Sequence, residues 1–202
     1  VPQYDDFLII PGIEVSTDRG HVLGLFITEQ ISTNQMDEAV HSIHAHGGLA
    51  VIAHPFEHSQ NIHRLDDVIE QFDGIEVWNG RADRKNKQAN AMALELAKHW
   101  NKPVTAGSDA HISEEIGNGV VILEVDALHL ESVRQALLQG ANQVQGKRGR
   151  SMCVAKSQLQ KRRKTNAHAS AYGKWALFTA KCFAEDCLTR KEKTHVIDCK
   201  TR

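Results

Sequence analysis

No run of eighteen or more apolar residues occurs in this sequence, so a membrane-spanning helix is not expected. The stretch WALFTAKCFA, from Trp175 to Ala184, is too short and too interrupted to be one. No secretory signal is visible, although the chain begins at Val1 rather than at a methionine. The four cysteines, Cys153, Cys182, Cys187 and Cys199, all lie in the last third and lack the CxxC spacing of a zinc ribbon or a redox motif. A reducing, cytoplasmic setting is the simplest expectation. There is also no GxSxG elbow and no Cys/His nucleophile motif, so no protein nucleophile is evident.

Acidic residues are missing from one long stretch: no Asp or Glu occurs between Ser132 and Ala184. The formal net charge of -1 hides this asymmetry. Val1 to Glu131 carries 21 acidic and 8 basic residues, whereas Ser132 to Arg202 carries 4 acidic and 16 basic. Two regions with different physical tasks are expected, with a boundary near Gly140 to Gly149. With 202 residues, 41% hydrophobic and 24% charged, the chain suits one compact domain, residues 1–149, and a basic extension, residues 150–202.

What is present is an alternation of strands and helices. FLIIPGIEV reads as a buried strand ending at Glu14 and Val15, and GHVLGLFI as a second that begins near His21. A helix follows, with Ser32 or Thr33 as its cap and Gly47 as its stop. LAVIAHP is a strand that ends at His54, LDDVIEQF a short helix, and GIEVWNG a strand that finishes at Asn79. A long helix from Arg81 to Trp100 leads to the strand KPVTAG, which stops at Asp109 and His111. The strand GVVILEV and the helix DALHLESVRQALLQG complete the pattern. Continuously apolar strands alternating with helices predict an α/β fold, a parallel sheet covered by helices, either doubly wound or barrel-like. In both architectures the chemistry gathers at the C-terminal ends of the strands.

Glu14, His54, Asn79 and the Asp109/His111 pair all fall at such ends. Carboxylates supply hard oxygen donors that can bridge two cations, and neutral imidazole suits Zn, Mn or Fe. In Asp109-Ala110-His111 the i, i+2 spacing on an extended chain puts both side chains on one face. Such a cluster can activate water near neutral pH and clamp a phosphate while it reacts.

Taken in order, IPGIEVST with GHVLGLFI, GGLAVIAHP, GIEVWNGR and TAGSDAH resemble successive motifs of the PHP (polymerase and histidinol phosphatase) superfamily. The match runs from about Phe7 to Gly149, and ESVRQALLQGANQVQGK is similar to the segment that closes such domains. The resemblance implies a distorted (β/α)7 barrel that hydrolyses phosphate esters by metal-activated water. It implies that Glu14 bridges two ions, that His54, Asp109 and His111 are further ligands, and that His21 occupies a position that often carries one. The cofactors implied are divalent ions (Mn, Zn or Fe), two or three in a complete site, and the substrate is a phosphorylated small molecule or nucleotide. The family also opens with an HxH motif on its first strand and a TDH-like segment on its second, and this chain has neither. The first strands of the barrel are therefore expected to be missing. Either the chain is a piece of a longer enzyme or the site has degenerated, and the clean surviving motifs favour the piece.

Each candidate has a plainer alternative. His21 could be a cross-strand surface histidine. Arg81 could clamp phosphate through its planar fork or simply start a helix on the surface, and Asn79 could bind substrate or merely turn the chain. His41, His44 and His46 are expected on the solvated side of their helix, whereas His58 and His63 could rim the pocket. Trp78 and Trp100 are expected in packing roles, and Trp175, Phe178, Cys182 and Phe183 at helical spacing are expected to pack on the domain or a partner. The basic stretch GKRGRSMCVAKSQLQKRRK could bind nucleic acid or neutralise the acidic domain, although no motif that reads RNA or DNA accompanies it. Two further functions stay open: a nuclease steered by that stretch, and a non-catalytic scaffold that binds nucleic acid or protein.

Overall fold

The computed structural model describes residues 6–59, 61–141, 143–166, 168–188 and 194–199. Its elements run β1 (Gly12–Thr17), β2 (Gly20–Leu25), α1 (Met36–Ala45), β3 (Leu49–Ala53), β4 (Gly74–Asn79), α2 (Ala89–His99), β5 (Val104–Gly107), β6 (Gly119–Ile122), α3 (Leu130–Gln139), β7 (Gln143–Gly146), α4 (Ser151–Lys164), α5 (Ala169–Leu188) and β8 (His195–Asp198). The fold is mixed α/β, as the alternation predicts.

The sheet is mixed, not purely parallel. Five strands lie in the order β1-β2-β3-β4-β5, antiparallel from β1 to β3 and parallel from β3 to β5. The reason is local. Asp18 and Arg19 form a turn too short for a crossover, so β2 must return alongside β1. Gly20, at φ 137°, permits that turn, and Thr17 Oγ1 donates to the Gly20 carbonyl at 2.6 Å. A second sheet, β6-β7-β8, is antiparallel throughout. Among the described residues the two sheets do not close into a barrel.

Other expectations shift at their edges. Phe7, Ile9 and Ile10 are exposed and precede the first strand, because Pro11 has no N–H for a ladder. Glu14 therefore sits inside β1, not at its end. Helix α1 starts at Met36 rather than after Ser32 or Thr33; Asp18, from the β1–β2 turn, accepts the Met36 N–H at 3.1 Å. The predicted helix over LDDVIEQF is a pair of short 3-10 turns, Ile62–Leu65 and Ile69–Gln71. The long helix from Arg81 is a 3-10 turn at Ala82–Arg84, then α2.

Val22, Ile52, Ile75 and Val77 of the sheet, Ala39 and Ile43 of α1, and Ala93 and Leu96 of α2 form the core. Trp78, at the end of β4, joins the sheets: its Nε1 donates to the Asn118 carbonyl at 3.0 Å, and its ring lies where a β-carbon on Gly146 of β7 would be. The chain after Gly149 turns back onto this body. Helices α4 and α5 pack together, with Trp175 Nε1 donating to the Ala155 carbonyl at 2.8 Å and Cys153 and Cys182 buried. β8 pairs with β7. Among the described residues no helix is long and apolar enough to cross a membrane.

Candidate active site

Strand register assembles the first part of the site. Ser16 of β1 pairs with His21 of β2, so Ser16, Glu14 two residues along, and His21 project from one face. His21 in turn pairs with Ala53, which brings His54 alongside. The Glu14 carboxylate lies 2.5 Å from His21 Nδ1 and 3.4 Å from His54 Nε2, and the two imidazole rings meet edge to face at 4.9 Å. One ligand atom from each of the three falls within 4.8 Å of the other two.

These groups open into a cavity of about 640 Å³. Asp109 and His111 also line it, from the end of β5, but outside that close group of three. Asp109 Oδ1 lies 3.3 Å from His111 Nδ1. His54 and Asp109 each adopt positive φ, 25° and 50°, which non-glycine residues rarely do and which marks strain held by the surrounding structure. Arg81, Arg84 and Lys85 bring cationic groups to the same cavity.

The electrostatics follow from crowding. Hydrogen bonding to His54, then to His21, holds the Glu14 carboxyl down at about 2 despite its partial burial. Burial works against charge on His54, but Glu14, Glu76, Glu57 and Asp109 outweigh it and raise its pKa. Burial raises Asp109. Beneath His54 lies Glu76 of β4, 4% exposed, which desolvation pushes up to about 7. Its Oε2 accepts from the His54 N–H at 2.8 Å and from Asn79 Nδ2 at 3.1 Å. A β-carbon on Gly107 would lie 2.3 Å from Glu76 Oε1, so glycine is needed there to house the carboxyl.

A carboxylate and two imidazoles whose donor atoms share one side of a cavity suit a divalent cation of the Zn, Mn or Fe type. Glu57 supports that fit, since its carboxylate lies 3.6 Å from His54 Nδ1, the ring nitrogen facing away from Glu14.

Asn79 is not in the cavity. It is buried, its Nδ2 bonds Glu76, and its Oδ1 accepts the N–H groups of Arg81 and Ala82 at 2.9 and 3.0 Å. Arg81 does line the cavity, with its guanidinium engaged by the fully buried Glu115; Nε lies 2.7 Å from Oε1. Of the remaining histidines, His58 lines the cavity, 2.8 Å from Lys85 Nζ. His44 pairs with Asp73 and His63 with Asp66, and His46 bonds the Ser42 carbonyl, all away from it.

Sequence reasoning passed over Glu57, Glu76, Lys85, Arg84 and Glu115. Glu76 had a signal: a lone carboxyl in the apolar run GIEVW must be buried and is costly there. Glu115, in a polar loop beside a second glutamate, had none. Val154 and Gln158 of α4 and Phe178 of α5 also line the cavity, so the stretch read as an extension supplies part of its wall.

A family model described as PHP-associated matches residues 87–142. Two uncharacterized proteins of Methanocaldococcus jannaschii are similar to this chain. One is 32% identical over 120 residues, 55% of this chain and 50% of the relative. The other is 35% identical over 89 residues, 43% of this chain and 50% of the relative. The matches thus span about half the length of these curated relatives. Among solved structures, a two-domain protein from Bacteroides vulgatus containing a predicted PHP-like metal-dependent phosphoesterase shares the fold. Its TM-score is 0.52 at 16% identity, covering 74% of this chain and 49% of that one.

Proposed function

We propose that this chain is of the PHP type, and that it forms the site of a metal-dependent phosphoesterase that hydrolyses a phosphate ester with water. The observation that carries this reading is the meeting of Glu14, His21 and His54 within 4.8 Å, on a cavity that Arg81, Arg84 and Lys85 also line. In the proposal Glu14, His21 and His54 hold a divalent ion (Mn, Zn or Fe), and Asp109 and His111 complete the donor set for one or two more. A divalent ion bound there supplies Lewis-acid charge, which lowers the pKa of water and offsets charge on the phosphoryl oxygens.

The chain's own groups do the rest. Arg84 and Lys85 present N–H donors to an anion entering the cavity, and Arg81 adds its charge while Glu115 and Ser157 hold it in place. Glu57, 3.1 Å from His58 Nε2 and 3.0 Å from Lys85 Nζ, keeps both groups turned towards the cavity. Glu76 fixes the main chain of His54, and with it the ring. Asn79 orients Arg81 by accepting its N–H, so its part is to position the arginine and not to touch substrate.

The (β/α)7 barrel belongs to the same proposal. Among the described residues β1 is the last strand on its side of the five-stranded sheet, and in this proposal a strand bearing an HxH pair lies beyond it to face Glu14. So does the division into a catalytic region, 1–149, and a basic region, 150–202. The four cysteines are free, which suits a reducing compartment such as the cytoplasm. A nuclease is the second reading. It is favoured by the run Lys161, Arg162, Arg163 and Lys164 in the last turn of α4, the helix that also gives Val154 and Gln158 to the cavity. Steep loss of oligonucleotide binding with added salt would support it.

The test is elemental analysis of the purified chain beside His54→Ala and Asp109→Ala, followed by a screen of phosphoester substrates. The expected result is about one or more equivalents of Mn, Zn or Fe in the wild type, with loss in His54→Ala. Equal metal content in all three folded proteins would sink the assignment.

A further inference from the structure

Cavity wall, substrate cover and extension meet in one element. Helices α4 and α5 form a hairpin that contributes Val154, Gln158 and Phe178 to the cavity that holds Glu14, His21 and His54. Its two helices are tied to each other at one end: Asp186 accepts the N–H groups of Ser151 and Met152 at 2.7 and 3.1 Å, and Glu185 accepts from Ser151 Oγ at 2.8 Å. Two cavity arginines tie the hairpin to the sheet. Arg84 donates from Nε to Ser151 Oγ at 3.3 Å, lies 3.7 Å from Glu185, and sits 5.9 Å from the centre of the Phe178 ring. Arg81 donates to Ser157 Oγ at 3.3 Å. On the other flank Lys156 bonds Glu114 at 2.7 Å.

The cavity lining is therefore chemically mixed. Glu14, His21 and His54 offer cation donors, Arg81, Arg84 and Lys85 offer positive charge for an anion, and α4 and α5 offer an apolar branch, an aromatic ring and one amide. We infer that this hairpin selects the substrate: the ester is a small phosphomonoester whose alcohol part presents an apolar or aromatic face to Phe178 and Val154. This rests on the phosphoesterase reading and extends it to the leaving group. The physical argument is position. Arg84 lies 5.9 Å from the centre of the Phe178 ring, so an anion near that arginine has the ring within reach of its organic substituent, and packing there removes apolar surface from water. Gln158 supplies the polar group that can fix the orientation of a hydroxyl or carbonyl on that part.

The experiment is calorimetric titration of the full chain, loaded with Mn²⁺, with inorganic phosphate and with phenyl phosphate. Wild type, Phe178→Ala and Phe178→Leu are compared, with circular dichroism to confirm that each is folded. Phenyl phosphate should bind wild type about tenfold more tightly than phosphate, the gain expected when roughly 60 Å² of apolar surface leaves water. The preference should fall to within about twofold in Phe178→Ala and stay intermediate in Phe178→Leu, which keeps apolar bulk but not the ring. If phosphate binds but phenyl phosphate gains nothing, or gains as much in Phe178→Ala, the inference fails and the phosphoesterase reading survives. If neither probe binds the loaded protein, that reading fails and this one falls with it. A single-stranded oligonucleotide that binds more tightly and excludes phenyl phosphate overturns the inference in favour of a polymeric substrate.

Discussion

Replacing Glu76 with glutamine should make the metal-free protein more stable at alkaline pH and leave it nearly unchanged at acid pH. Glu76 is 4% exposed, and desolvation lifts its carboxyl from 4.5 to about 7. Between those values the folded state holds a proton that the unfolded chain has released. Stability then falls as pH rises from 4.5 through about 7, and is level outside that window. At 1.36 kcal/mol per pH unit, the loss is on the order of 3 kcal/mol. Glutamine never ionises, and its amide oxygen can still accept from the His54 N–H and from Asn79 Nδ2, which now share Oε2. Other titrating groups remain in both proteins, so the difference between them isolates Glu76. His54 loses one of the charges that keep it protonated, a smaller effect in the same direction. Urea unfolding of both proteins at pH 5 and pH 8, in EDTA, measures the difference. The gap should widen by roughly 2–3 kcal/mol between the two pH values. A gap of the same size at both would refute the claim that Glu76 is buried at the expense of its charge.

Two further outcomes follow from the same geometry. Metal affinity should weaken as pH falls, because His54, raised above its ordinary value by the surrounding carboxylates, takes up a proton in competition with the ion. Metal titrations at pH 6 and pH 8 check this, and equal affinity at both would remove His54 from the ligand set. Glu115→Ala should cost roughly 3–5 kcal/mol, since it strands the Arg81 guanidinium without its buried partner. It also takes the acceptor from the His111 N–H. An unfolding free energy within about 1 kcal/mol of wild type would show that the pair holds nothing in place.

Part of the candidate site was legible in the residues because a buried or half-buried strand between helices is mostly apolar along its length, so a polar residue just past its end stands out. LAVIAHP and VTAGSDAH announce His54 and Asp109 in that way, and β3 and β5 stop where the apolar runs stop. The same logic misread Glu14, because Pro11 delays the first strand and carries it past the glutamate. Asn79 was misjudged for another reason: a strand-end amide looks alike from sequence whether it faces a ligand or caps the next turn.

By itself, then, the sequence determined the alternation of elements, the donor types at their ends and the charge division of the chain, since each depends on neighbours a few residues apart. Tertiary structure alone decided which donors meet. Glu14 reaches His54 across 40 residues because β2 reverses between them, and Arg81 reaches Glu115 across 34. It also decided that the basic stretch is a wall and not only a tail, because Phe178 comes to the cavity through the packing of α5 on α4 and through Arg84, contacts for which no local pattern codes.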